Sequence, residues 1–267
     1  MSIFYQKLGK SIALRANQLS DAIAASTLET NYGTGDLETI MDGVEVPYSA
    51  LRNDIINAEA QIAAMIGNSS NNLLRAALMA DSETLIMRDN KPLNIPTVGT
   101  AGRFFGKFDG IYNAVTHNPL ELVEKQALLR RMRNAGSFFR LKWDHYFIEG
   151  TKVFFTCAPK STTCSCTETD CTCTKAKAYF RGVAWSKTKA ETQFDLADEA
   201  GKSVLPDQCA DLWRNMVLAS IAQENYFEAQ ASYYGQKAEQ SAMAIGLVFD
   251  PNAAADVVAT NTENDNG

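Results

Sequence analysis

A chain of 267 residues, 46% hydrophobic and 21% charged, can bury one or two globular cores. Its formal net charge of −6 excludes a general nucleic-acid coat, which would carry a basic excess. No apolar run reaches the about eighteen residues a membrane-spanning helix needs.

Along the chain, Phe4, Leu8, Ile12, Leu19 and Ile23 recur at helical intervals, with Lys7, Lys10, Arg15 and Asp21 between them. That spacing predicts an amphipathic first helix to about Ala25, not an export signal. After an acidic, glycine-bearing loop at Asn31–Asp36, Pro47 opens a second helix with the stripe Leu51, Ile55, Ala58, Ile62, Met65 and Ile66, ending at Gly67. A shorter helix around Asn72–Ala80, a strand at Thr84–Met87 and a turn at Asp89–Pro92 follow. Gly99, Gly102, Gly106 and Gly110 predict a bent loop anchored by Phe104, Phe105 and Phe108. Ala101–Phe108 imitates a phosphate-binding loop up to its last residue, where Phe108 replaces the hydroxyl that Mg²⁺ requires, so nucleotide binding is not expected.

Asn118-Pro119-Leu120-Glu121 has the form of a helix start, and that helix should end near Asn134-Ala135-Gly136. Phe138–Phe147 alternates with period two and is expected to turn Trp143, His145 and Phe147 inward. Glu149-Gly150 turns the chain, Val153–Cys157 returns, and Lys177–Trp185 adds a third strand. From Pro206 to Gly246 the residues predict one helix of roughly 60 Å. Its stripe is Trp213, Val217, Ile221, Phe227, Ala231, Tyr234, Ala238, Ala242 and Ile245. A helix of that length outgrows a small core, which marks Phe227, Ala231, Tyr234, Ala238 and Ile245 as a candidate partner interface. Residues 250–267 read as an extended tail.

The expected fold is therefore α+β, mainly α: a helical bundle with a very long C-terminal helix and a small antiparallel sheet carrying a cysteine-rich hairpin. Four parts are expected: a helical part with short strands (1–137), a β insertion (138–190), the long helix packed on the helical part (191–249) and the tail (250–267). Within the insertion Cys164, Cys166, Cys171 and Cys173 form C-x-C-x4-C-x-C. If Thr167–Asp170 is a turn, all four sulfurs share one face, a geometry open to two disulfides, a tetrathiolate zinc site or free thiols. With two histidines, neither placed by a motif, no catalytic residue, cofactor site or metal ligand is assigned.

Charge is segregated. Six carboxylates and no base lie between Arg15 and Arg52, while Lys125, Arg130, Arg131, Arg133, Arg140 and Lys142 make the middle basic. Such runs are either solvated faces or complementary surfaces between neighbouring copies.

Three segments carry a resemblance. Val46–Ala63 leads through a short helix to Leu93-Asn-Ile-Pro96, the hairpin Tyr146–Thr156 pairs an aromatic strand with an acidic-glycine turn, and Leu205–Ala222 is followed by Tyr226–Tyr234. In this order they resemble the head-to-tail adaptor proteins of tailed bacteriophages. The resemblance implies a virion protein assembled in the host cytoplasm, a homo-oligomeric ring between portal and tail proteins, and passage of genome DNA without sequence recognition. It also implies no chemistry, hence no enzyme activity and no cofactor; no membrane partner is expected, since no apolar run is long enough to span one. The Cys164–Cys173 loop departs from that family. The alternative class is a cytosolic helical interaction module whose four-cysteine hairpin binds zinc.

Overall fold

The computed structural model describes residues 2–17, 48–86, 92–126, 145–155, 177–194, 201–224 and 226–252. It divides into two compact units: Met1–Leu78 with Trp185–Gly267, and Met79–Ala184 inserted between them. The boundaries of these units fall at 78/79 and 184/185.

The first unit begins with β1 (Ser2–Phe4), which runs directly into α1 (Tyr5–Asn17). The continuation of that helix to Ala25 and the acidic run lie outside the described residues. The second helix, α2 (Tyr48–Asn68), follows Pro47 and has 21 residues. All six positions of its stripe are buried. Asn71 caps α3 (Asn72–Ala77) by accepting the N–H groups of Leu73 and Leu74, and its Nδ2 donates to the Ile245 carbonyl at 2.9 Å.

In the inserted unit the order is β2 (Met79–Asp81), β3 (Leu85–Ile86), β4 (Leu93–Asn94), β5 (Val98–Gly99), β6 (Gly102–Asn113), β7 (Glu121–Leu122), β8 (His145–Glu149), β9 (Lys152–Phe155) and β10 (Lys177–Trp185). One sheet has the order β2-β10-β6-β5, with β3 also paired to β10; the other has the order β4-β9-β8-β7. Ile111, Leu120, Tyr146, Val153, Phe155, Ala178 and Phe180 form its core.

Three expectations are corrected here. The glycine-rich segment is a strand, because Phe104 and Phe105 are buried and Phe108 packs edge-on against Phe104 and Phe180. A Cβ at Gly182 would lie 3.1 Å from Phe108, so the glycine on β10 makes room for that ring. Asn118–Glu121 does not start a helix: Pro119 bridges to Tyr112, and Glu121 and Leu122 pair in parallel with His145 and Tyr146. On β8 the inward residue is Tyr146, while His145 lies 3.0 Å from Glu121.

The chain returns to the first unit through α4 (Lys187–Gln193), capped by Ser186, and β11 (Lys202–Pro206), which pairs antiparallel with β1. After a 3₁₀ turn at Asp207–Cys209 come α5 (Ala210–Glu224) and α6 (Glu228–Ala244). The single helix from Pro206 to Gly246 is thus overturned, and with it the mainly α bundle carrying one small sheet. Among the described residues the fold is α+β, with three sheets and a helical hairpin where one rod was expected. Helix α5 is apolar over most of its circumference, with Leu212, Trp213, Met216, Val217, Leu218, Ile221 and Ala222 buried, because it is packed by α1, α2 and α6. Helix α6 buries only the stripe Tyr234, Ala238 and Ala242. Two alanines on that stripe let the helices approach closely, and Asn215 Nδ2 donates to Ser241 Oγ at 3.2 Å across the seam.

Candidate functional site

The α5–α6 hairpin collects the outward features of the first unit, and its two ends are built alike. At the end of α6 the Gly246 N–H donates to the Met243 carbonyl and the Leu247 N–H to the Ala242 carbonyl, with Gly246 at φ +74°. At the end of α5 the Tyr226 N–H donates to Gln223 and the Phe227 N–H to Ala222, with Tyr226 at φ +61°. Both are paired six-to-one and five-to-two terminations, in which the left-handed position is ordinarily glycine. Tyrosine there carries a steric cost of about 1 kcal/mol that glycine would avoid. The side chain so placed is 90% exposed, and Phe227 beside it is half-exposed. Glu224 and Glu228 flank this aromatic tip.

Towards the open end of the hairpin, a cleft of about 430 Å³ lies between the start of α5 and the Tyr233–Ile245 stretch of α6. Arg214, Tyr233, Lys237, Gln240, Ala244 and Ile245 line it. The Arg214 Nη2 holds Asp211 at 2.7 Å, while its buried Nε has no hydrogen-bond partner. Lys237 Nζ sits 5.7 Å above the Tyr233 ring and 3.5 Å from Gln240 Oε1. Asp211 also lines the cleft and pairs with Arg214, so among the described residues its cation without an ion pair is Lys237, and its Ala244–Ile245 end is apolar. Leu73, Met243 and Val248 are strongly exposed.

The residues singled out by the long stripe part company. Tyr234 and Ala238 are buried within the chain, Ala231 and Ile245 are half-buried, and Phe227 stands at the tip. Cys164, Cys166, Cys171 and Cys173 lie outside the described residues. The buried Cys209 has its thiol pushed up to about 12 by desolvation, which suppresses the reactive thiolate. Among the described residues no three His, Cys, Asp or Glu side chains are placed to hold a metal ion. No helix among them is long and apolar enough to cross a membrane.

Among the described residues of the first unit, two carboxylates are displaced upward from their ordinary range. Glu59 on α2 is 1% exposed and meets only neutral donors: Tyr5 Oη at 2.7 Å, Ser203 Oγ at 2.6 Å, and groups of Trp185 and Val204. Asp54, one turn earlier, is raised to about 6 by burial and by the neighbouring Glu224 carboxylate, against which one bond from Ser220 acts. Its Oδ2 is buried without a partner. The folded pKa lies above the unfolded value of 3.8, so the stabilising contribution is complete below that value and is lost as pH rises through about 6. Asp54→Asn is therefore expected to stabilise the protein at pH 7 by about 1–2 kcal/mol, discounted for solvent screening, and to have little effect at pH 3.5. Urea unfolding at the two pH values checks this; equal effects at both would remove the explanation.

In the inserted unit Arg181 holds Asp81 through two bonds of 2.7 and 3.0 Å and lies over Tyr112 and Tyr179, whose rings stack at 5.5 Å. Its charge is neutralised by Asp81, making this a strand-locking cluster. Periodicity alone did not reveal Tyr226. The available signal was Asn225 within a helical run, since asparagine often marks a helix C-terminus. Compared with known proteins, the chain matches no family model and no curated protein.

Proposed function

We propose that this chain is a structural virion subunit of the head-to-tail connector type. It forms one member of a ring between portal and tail, lets genome DNA pass without sequence recognition, and performs no chemistry of its own. The observation that carries this conclusion is Tyr226: a large side chain held almost wholly in solvent by an ordered backbone that glycine would serve better. Exposed apolar anchors on rigid supports are characteristic of assembly surfaces. The order of segments that resembles the phage adaptors, Val46 to Gly246, narrows assembly to this class. The acidic balance also fits a conduit, since few phosphate contacts would hold the DNA in place. The perturbed groups support the absence of chemistry: Glu59 is sealed among core hydroxyls and Cys209 is locked in its thiol form.

Electron microscopy of the purified protein, alone and mixed with portal and tail proteins, tests the proposal, together with a zinc determination. Rings that cap the portal are expected, with no stoichiometric zinc. A monomer that ignores both neighbours and carries one zinc per chain would establish the interaction-module class instead.

A further inference from the structure

We infer that the Tyr226–Phe227 tip of the hairpin docks into the Arg214–Lys237 cleft of a second copy of this chain. Three features of the first unit converge on that occupant. The tip is convex and aromatic, while the cleft is concave and has an apolar end at Ala244 and Ile245. The tip is flanked by the acids Glu224 and Glu228, while the cleft presents Lys237 and the Arg214 guanidinium, of which Asp211 occupies one edge. Opposed charges of this kind set register and orientation. Finally, the cleft runs along α6 from Tyr233 to Ile245, and its Lys237 lies ten residues, roughly 15 Å of helix, beyond Phe227 at the tip, so a chain cannot fold its own tip into its own cleft.

Joining two different patches makes the contact heterologous. Such contacts close into rings when the rotation per copy permits and otherwise grow as open filaments. The interface deepens the connector proposal by naming the surfaces between subunits, and it rests on that proposal only for ring closure. Tyr226 at the left-handed position is then explained: its backbone is fixed before binding, so little ordering remains to oppose association.

The test uses the full-length chain in sedimentation velocity, with Tyr226→Gly as the tip variant and Lys237→Glu as the cleft variant. Wild type should associate with rising concentration. Tyr226→Gly should associate at least about 30-fold more weakly while melting at the same or a higher temperature, because the fold prefers glycine there. Lys237→Glu should also be weakened. An equimolar mixture of the two variants should form a 1:1 dimer, since one intact tip still meets one intact cleft. Three results would overturn the inference: a wild type that stays monomeric up to about 1 mM, a Tyr226→Gly chain that assembles normally, or a mixture that remains monomeric. Open chains that depend on Tyr226 would leave this interface standing and remove the ring. Rings that survive Tyr226→Gly would do the reverse.

Discussion

Replacing Trp213 by alanine is expected to destabilise the helical unit by about 3–5 kcal/mol, the range for deleting a large buried aromatic. Trp213 is fully buried in the first turn of α5, where its ring meets Tyr5 edge-on at 5.7 Å and its Nε1 donates to the Ile55 carbonyl on α2 at 2.8 Å. One side chain therefore joins α5 to both α1 and α2, and its removal leaves a void that three packed elements cannot all collapse to fill. Since domains retain about 5–15 kcal/mol in total, the loss should bring the unit close to unfolding at 37 °C. Trp213→Phe retains most of the packing and should cost markedly less. Urea denaturation monitored by circular dichroism measures both. A loss under about 1 kcal/mol for the alanine variant would show that Trp213 is not central to this core.

Helices α2 and α5 show what periodicity can and cannot reveal. Leu51, Ile55, Ala58, Ile62, Met65 and Ile66 make a one-sided stripe on a helix opened by proline, and every one is buried. The Glu149-Gly150 turn and the strand Lys177–Trp185 were equally legible: Gly150 takes φ +59°, which favours glycine, and the strand is a short, mostly apolar run that is buried along most of its length. The break at Tyr226 was not. The apolar stripe resumes after the turn at Phe227, Ala231 and Tyr234 at helical spacing, so a 3.6-residue period cannot distinguish one rod from two antiparallel helices. The residue that normally marks such a stop is glycine, and here tyrosine occupies its place. The glycines of β6 misled in the opposite direction. They suggest a loop by composition, while Phe104, Phe105 and Ile111 on the same segment supply enough burial to make it a strand. Likewise Asn118-Pro119-Leu120-Glu121 has every local mark of a helix start, and pairing with His145 and Tyr146 overrides it. Local chemistry was legible wherever one signal acted alone and failed wherever long-range pairing competed with it.

That long-range competition is strongest at Glu59, where a helix position buries a carboxyl group in order to join distant strands. Tyr5 at the β1–α1 junction, Ser203 on β11, and groups of Trp185 and Val204 all donate to it, and Ser203 in turn accepts the Leu205 N–H at 2.9 Å. Glu59→Ala orphans several buried donors together and is expected to cost about 3–5 kcal/mol, comparable to breaking a buried charged pair. Glu59→Gln keeps one acceptor and lets a hydroxyl reverse its role, so its cost should be about 1–2 kcal/mol. The pH dependence separates network from volume. Desolvation raises the Glu59 pKa in the fold above its ordinary value of 4.5. The native state therefore holds a proton that the unfolded chain releases, and the contribution, complete at low pH, is lost as pH rises above that value. Glu59→Gln cannot titrate, so its deficit relative to wild type should shrink as pH is raised from 4 to 8. Because Asp54 contributes with the same sign, the comparison belongs in an Asp54→Asn background, where Glu59 is the remaining raised acid on α2 among the described residues. A deficit that is constant across this range would mean that Glu59 has the same pKa folded and unfolded, and that its role is to fill space.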